Sequence, residues 1–498
     1  MRPLNVVVVG GGPVGLIFAT ELKLQLGVNA RIVIYESRCL KRGGRIVRRG
    51  PAEGNRRREQ VVTLQSRVFD QLSPELQAAL FIRNGFAVVW PYGPDSLASI
   101  GRPRNIRISD VENRLLELAQ EMKIRIVPKR FSVGDIDRYS IDLLAICDGA
   151  QSATRDHFTG HFGIGDATPY AIDGQQLVDV VLGLRVKSSM SAAAGVVMTI
   201  AQNRFLLNSL NGEGFLNLRL TSAEASEVRG VSVEGRTYSD CIQASPCTMV
   251  RESGNRFVCP THGTLFAPAV DPTSFLWPRI LEGLKLFDVK LEDLTSITSF
   301  RLAMVQRGQF TSEITSTDTH ATFGALVGHA ANAIHFWAGR GLNHGILSAI
   351  SLVRALSSWS GETLRSADFT HHEAAMAALQ HRHKTRAWYQ MVTRRNERVI
   401  PIIDLFANAI LGTQPRAKLL AEMKARIRDI GARLADRLEA QPNMEELDKL
   451  LSSVDDETLR ILAHGSGWET RRSGRRGRPR RPESSALEAP VSAIRPLG

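Results

Sequence analysis

Hydrophobic and polar positions follow three different patterns along this chain. The first apolar stretch is uninterrupted: Val6, Val7, Val8 and Val9 stand in a row. Four consecutive β-branched residues fit a strand buried on both faces, since a half-exposed strand would alternate. Val14, Ile17, Phe18, Leu22, Leu24 and Leu26 then fall on helical spacing until Gly27 stops them. Residues 32–35 and 61–64 read as short strands, and residues 68–81 as a helix with Phe69, Leu72, Leu76 and Leu80 inward. Ser109 and Glu112 have capping-box spacing, ahead of a helix carrying Val111, Leu115, Leu116 and Leu118. Strands follow at residues 124–127 and 141–146.

From about residue 177 to 300 the pattern changes to longer, alternating strands, at residues 178–186, 196–200, 205–209 and 215–220. Asn211, Gly212, Glu213 and Gly214 supply a hairpin turn between the last two. This stretch predicts an antiparallel sheet, a natural wall for a small-molecule pocket. The first pattern then returns, with a strand at residues 323–327 and a helix carrying Ile346, Leu347, Ile350, Leu352 and Val353. Residues 371–464 read as helical, with breaks near Pro401 and Pro415. The predicted class is α/β. One domain is written in two pieces, residues 1–176 and 301–360, around a β-sheet lobe at 177–300; a helical region at 361–470 and a disordered tail at 471–498 follow.

Composition narrows the picture. The 498 residues suffice for two or three domains. No apolar run approaches the ~18 residues of a membrane span, and the first strand begins too early for a signal peptide, so the cytoplasm is the expected compartment. The five cysteines, Cys39, Cys147, Cys241, Cys247 and Cys259, show no C-x-x-C spacing and read as reduced thiols without a metal. The net charge of +13 is concentrated at the end: from Arg471 onward eight arginines stand against two glutamates. Such a segment is solvated, and the modest charge of the remainder argues against nucleic acid as a partner of the folded part.

The chemistry begins at Gly10, Gly12 and Gly15, a G-x-G-x-x-G set between the first strand and the first helix. Gly10 permits the tight turn, Gly12 lets a pyrophosphate approach the backbone, and Gly15 lets helix pack on strand, with orphan amides facing the anion. Glu36, 26 residues after Gly10, ends the second strand and is placed to accept hydrogen bonds from an adenosine ribose. Arg38, Lys41, Arg42, Arg45, Arg48, Arg49, Arg56, Arg57 and Arg58 follow, interrupted by Gly43, Gly44, Gly50 and Pro51. They read as a long loop beside the cofactor strand, with some guanidiniums available to phosphate. Asp148 lies just past the strand at 141–146, where open α/β sheets place ligands. Gly341 to Asn343 place backbone amides at a helix start.

Three stretches in fixed order are specific: GGGPVG with Glu36, CDGAQSATR from Cys147 to Arg155, and GHAANAIHFWAGRGLNHG from Gly328 to Gly345. Together they resemble the group A flavoprotein monooxygenases, the family of para-hydroxybenzoate hydroxylase, kynurenine monooxygenase and the MICAL oxygenase domains, over roughly residues 1–360. The resemblance implies a Rossmann-like FAD-binding domain with a substrate lobe. It implies cofactor contacts at Gly10, Gly12, Pro13, Val14, Gly15, Glu36, Ser37, Arg38, Arg45, Asp148, Gly149, Gly328, His329, Gly341, Leu342 and Asn343. It also implies hydride transfer from NADPH or NADH, reaction with O2 to a flavin C4a-hydroperoxide, and oxygen transfer to a small aromatic or polyketide-like substrate. His335 and Trp337 are the candidates for the reactive edge of the flavin. Two departures stand out: His329 occupies a position where the family has Asp, and the usual prolines near 334–337 are missing. A neutral imidazole offers one acceptor and, at its ordinary pKa of about 6.5, loses it in mild acid. The rival assignments are a flavin-dependent reductase, a halogenase-like enzyme, although no W-x-W is present, and a flavin-containing binding protein with a nucleic-acid-binding tail.

Overall fold

The computed structural model describes every residue except 1, 51–52, 56, 90–101, 139, 233, 236, 239–240, 244–246, 318–319, 334–339, 396–397, 436–437, 439–440 and 466–498. The valine run is strand β1 (Leu4–Val9), followed by α1 (Pro13–Leu26) and β2 (Ala30–Tyr35). Val6 and Val8 face a core with Leu16, Phe18 and Ile346, while Val7 and Val9 face a second core with Phe131, Phe158 and Leu326. Both faces of β1 are therefore dry, as four valines in a row require.

The basic stretch after Glu36 is not the long loop its glycines suggest. Strands β3 (Cys39–Arg42) and β4 (Arg45–Arg48) form an antiparallel hairpin. Its turn is Gly43 and Gly44, both at positive φ of 56° and 81°, the combination that suits a right-twisted two-residue connection. After β5 (Val61–Leu64), the helix expected over 68–81 is broken into α2 (Ser66–Phe69) and α3 (Pro74–Leu80), because Ser73 caps a new helix whose first residue is Pro74. The four inward residues are buried as expected. Helix α4 (Ile108–Glu121) begins at Arg107 with no side-chain cap, so the Ser109–Glu112 box does not form.

Strands β6 (Arg125–Val127) and β7 (Leu143–Ile146) complete the first piece of the parallel sheet. The chain then builds β8 (Val178–Lys187), and residues 196–200, expected as a strand, belong to helix α5 (Ala192–Ile200). Ser191 caps its start and Ala192, Ala193 and Ala194 favour the helix over the β-propensity of Val196 and Val197. Strands β9 (Phe205–Leu210) and β10 (Glu213–Arg219) meet through Asn211 and Gly212, at φ of 53° and 77°. Short strands β11 (Gly230–Val231) and β12 (Thr237–Tyr238) precede β13 (Thr248–Ser253), β14 (Arg256–Val258), β15 (Leu265–Phe266), helix α6 (Leu276–Leu286) and the long β16 (Leu294–Ala303). The result is a nine-stranded sheet ordered β9-β10-β8-β16-β13-β14-β15-β11-β12, antiparallel throughout.

The chain returns with β17 (Thr311–Thr317) and β18 (His320–Leu326), which extend the parallel sheet to the order β17-β18-β7-β1-β2-β6. β18 lies parallel to β7, with Phe323 opposite Leu143, and only β17 runs antiparallel. Helix α7 (Arg340–Leu356) then packs on α1. After α8 (Thr370–Met391) and a hairpin of β19 (Val392–Arg395) and β20 (Arg398–Pro401), Pro401 and Pro415 stand just before α9 (Ile402–Ile410) and α10 (Arg416–Leu434). Helices α10, α11 (Met444–Ser453) and α12 (Asp456–His464) share the core of the nine-stranded sheet through Leu419, Met423, Leu447 and Leu462. No helix among the described residues is long and apolar enough to cross a membrane.

That sheet holds two fully buried ion pairs. Arg204 donates to both oxygens of Glu224 at 2.5 and 2.6 Å, and Arg219 lies 2.6 Å from Asp179. Both guanidiniums approach the Phe406 ring on α9, at 5.2 and 5.8 Å from its centroid, so the charges help seat the helical region on the sheet.

Candidate cofactor cleft

Gly10, Glu36, Asp148 and Gly328 follow the carboxyl ends of β1, β2, β7 and β18, the edge where open α/β sheets bind ligands. At the β1–α1 turn, Gly10 has φ +97°, and a Cβ there would stand 2.7 Å from the Asp148 Cα. A Cβ on Gly15 would stand 2.0 Å from the Gly10 carbonyl oxygen. Both glycines are thus fixed by packing. Gly12 differs: its Cβ would meet only the Arg38 Nη2, at 3.5 Å, so the surface beside it is open. Pro13 fills the first helical position without an N–H, leaving the amides of Val14 and Gly15 orphaned at the helix start.

Glu36 is buried but committed. Its Oε1 accepts from the Arg38 backbone N–H at 2.9 Å and from Arg38 Nε at 3.0 Å, and its Oε2 accepts from Arg38 Nη2 at 2.7 Å. Arg48 Nη1 stands 3.3 Å from the same Oε2 while another of its nitrogens donates to the Gly11 carbonyl. Burial alone would raise the Glu36 pKa, but hydrogen bonds and charge from Arg38, then charge from Arg48, outweigh it and hold the group at about 2. Glu112, free of any cap role, takes Arg38 Nη1 at 3.2 Å and faces Arg58 at 3.9 Å. Three guanidiniums, Arg38, Arg48 and Arg58, therefore surround two carboxylates beside the glycine turn, a surplus of positive charge where an anion would lie. Spacing marked Arg48 and Arg58 only as members of a basic cluster and Glu112 only as a helix cap; the hairpin carrying Arg48 and the helix α4 carrying Glu112 bring them together here. Arg45 is exposed next to the hairpin turn and Ser37 is exposed.

The β7 end supplies Asp148 and Gly149, the latter at φ +97°. Burial raises the Asp148 pKa, opposed by hydrogen bonds from Ser152 and Thr154. Arg155, further along the same motif and 9% exposed, donates to the carbonyls of Ala150 at 3.0 Å and Ala330 at 3.3 Å. It ties the second motif to the third. Val14 performs a similar task between the helix starts: a Cβ on Gly345 would stand 2.4 Å from its Cγ2, and one on Gly328 would stand 3.2 Å from its Cγ1. Val14 is a packing wedge, and the N-termini of α1 and α7 meet around it.

At that meeting, Gly328 has φ +65° and its N–H donates to Ser348 Oγ at 2.9 Å. His329 lies against Gly341, whose Cβ would come within 2.8 Å of the imidazole Nε2. The His329 side chain is surrounded by protein yet keeps exposed surface, as expected of a group lining an internal cleft. Burial and then the charge of Arg58 lower its pKa to about 4, so the imidazole stays neutral in mild acid, contrary to the ordinary value assumed from sequence. Asn343 also corrects expectation. Its Oδ1 accepts from the Gln65 N–H at 2.8 Å and its Nδ2 donates to the Thr63 carbonyl at 2.8 Å, so the side chain clamps β5. Leu342 packs partly into the α1 core. His335 and Trp337 lie outside the described residues.

No protein-family model matches this chain, and no curated protein matches it by sequence. Among solved structures, it is similar to p-nitrophenol 4-monooxygenase PnpA from Pseudomonas putida DLL-E4, at 14% identity and a TM-score of 0.47, over 94% of this chain and 100% of that one. It is similar to a mutant of PqsL from P. aeruginosa at 12% identity and 0.46, over 91% and 100%. The Diels-Alderase PyrE3 of pyrroindomycin biosynthesis aligns at 16% identity and 0.44, over 93% of this chain and 81% of that one. Likenesses this distant carry no assignment of their own, and the weight rests on the cleft.

Proposed function

We propose that this chain is an FAD-dependent monooxygenase of the group A type, drawing electrons from NADPH or NADH and using O2 to oxygenate a small aromatic or polyketide-like molecule. The observation that carries this reading is the convergence of two helix N-termini, those of α1 and α7, on one cleft at the carboxyl edge of a parallel sheet. The residues fit the cofactor. Open space beside Gly12 and the surplus of guanidinium charge suit a diphosphate, and the amides of Gly341 and Leu342 in the first turn of α7 suit the electron-rich end of a flavin. Bound FAD would supply the redox chemistry; the chain supplies orientation and electrostatics. Arg38 and Arg48 hold Glu36 ionised and in place, and Arg155 and Val14 lock the three motifs together.

The reading is tested by the flavin content of the purified protein and by NADPH and NADH oxidation across phenols, indoles and polyketides. Bound FAD with stimulation by one class supports it; a colourless protein that takes up no added FAD overturns it. His329 sharpens the test. With its pKa near 4 it keeps one acceptor nitrogen down to about pH 5, so FAD affinity should be flat between pH 7 and 5.5. His329→Asp places a carboxylate beside Arg58 and should tighten FAD by ~3-fold or more through a charge-assisted bond. Titration of the apoprotein at both pH values checks this, and an unchanged affinity would remove His329 from the cofactor's surroundings.

A further inference from the structure

Five unrelated thiols are what the spacing of the cysteines suggests, and the fold does not keep them apart. Cys241 follows β12, Cys247 immediately precedes β13, Cys259 immediately follows β14, and His262 sits in the turn into β15. The Sγ atoms of Cys241, Cys247 and Cys259 stand 3.5, 3.4 and 3.3 Å from one atom, the Nδ1 of His262. All four atoms lie within 4.8 Å of one another. One ring nitrogen cannot hydrogen-bond three sulfurs at once, and all five cysteines of the chain are unbridged. A common cation accounts for the arrangement. In a tetrahedral zinc site, Zn–S near 2.3 Å and Zn–N near 2.0 Å place sulfur and nitrogen about 3.5 Å apart.

The surroundings are those of a built site. The turn Cys259-Pro260-Thr261-His262-Gly263 is closed by the Gly263 N–H on the Cys259 carbonyl at 2.8 Å, with Gly263 at φ +66°. Backbone N–H groups of Thr261 and His262 point at the Cys259 sulfur, and the Thr264 hydroxyl donates to Cys241 Sγ at 2.9 Å. Such donors stabilise thiolates and fix their direction, as outer partners do in metal sites. Cys241 and Cys259 are buried beside Phe257 and Phe266, while His262 closes the outer side.

We propose that Cys241, Cys247, Cys259 and His262 bind one Zn²⁺ in a closed, structural Cys3His site that fastens the far end of the nine-stranded sheet. On binding, the three thiols release their protons and the imidazole coordinates as the neutral ring. Four protein ligands leave no position for water or substrate, so the ion takes no part in the redox chemistry. Strands β11, β12 and β15 are two residues each, and a metal tying their connections supplies what such short strands lack in ladder bonds.

The test uses the full-length chain and does not depend on flavin. Elemental analysis after gel filtration should find about one zinc per chain, and replacing it with Co²⁺ should give tetrahedral thiolate bands in the visible spectrum. Chelation should lower Tm and uncover three further thiols to a thiol reagent. Cys259→Ser should lose the metal, and Cys39→Ser, outside the cluster, should keep it. Where Cys259→Ser does not fold, the Co²⁺ spectrum of the unmodified chain decides. Absence of zinc together with no Co²⁺ bands on reconstitution overturns the proposal, as does a disulfide among these cysteines found by mass spectrometry.

Discussion

Gly12→Val should produce a folded protein that has lost FAD. Gly12 is extended backbone, with φ −70° and ψ −178°, which any residue adopts. Its Cβ would meet nothing nearer than the flexible end of Arg38 at 3.5 Å, so the fold tolerates the side chain. The same volume is where a diphosphate must approach the helix amides, and a valine there forces it outward. The expected loss of affinity is ~100-fold or more, about 3 kcal/mol. Gly15→Ala should fail in the opposite way. Its Cβ would stand 2.0 Å from a backbone oxygen, so α1 must move off β1, at a cost of about 3 kcal/mol or more to the fold itself. Flavin absorbance per mole of protein, read beside urea unfolding, separates the two. Normal flavin in a folded Gly12→Val protein would remove the glycine turn from the cofactor site.

Glu224→Gln should destabilise the chain by about 3–5 kcal/mol, because it strands the Arg204 guanidinium in the core without its counter-charge. Burial would raise the Glu224 pKa, but the Arg204 charge and hydrogen bonds lower it below the ordinary 4.5. The sign of the pH effect follows. A depressed folded pKa means that the pair's contribution is complete above about pH 4.5 and is lost as pH falls below it. The variant should therefore show a shallower acid dependence than the parent between pH 5 and 3. Removing both charges, as in Glu224→Gln with Arg204→Met, should recover part of the loss, since an apolar replacement leaves no orphaned ion. Urea titrations at two pH values check both points, and a loss under about 1 kcal/mol would mean that water reaches the pair.

How much was legible depended on where each signal resides. The valine run and the position of Glu36 at the end of β2 are local and were legible, but the arginines that take both oxygens of Glu36 were not. Features set by neighbours distant in sequence were not legible. Glu112 has the spacing of a cap but serves Arg38, because the helix starts at Arg107 and its packing against α1 and β4 brings Glu112 to a cation. Asn343 carries the chemistry of a ligand and spends it on β5, a strand some 280 positions earlier. Val196 and Val197 looked like strand until the alanines and Ser191 before them decided otherwise. The Cys3His cluster draws on two separate connections, β12 to β13 and β14 to β15, so no short motif could announce it.

The divided parallel sheet also sets a clock on biogenesis. β7 ends at Ile146 and its neighbour β18 begins at His320, so β7 emerges from the ribosome 174 positions before its neighbour does. At ~5–20 residues per second that is roughly 10–30 s with an apolar strand edge exposed. The other core is no quicker, because α10 to α12, beginning at Arg416, finish the packing of the nine-stranded sheet. The first half closes only once β18 and α7 are out, and the second only once α10 to α12 follow. Protease treatment of ribosome-bound chains stalled near residue 300, before β18 is made, should accordingly find both halves cleavable, and a resistant first half at that length would show that β7 is sheltered some other way.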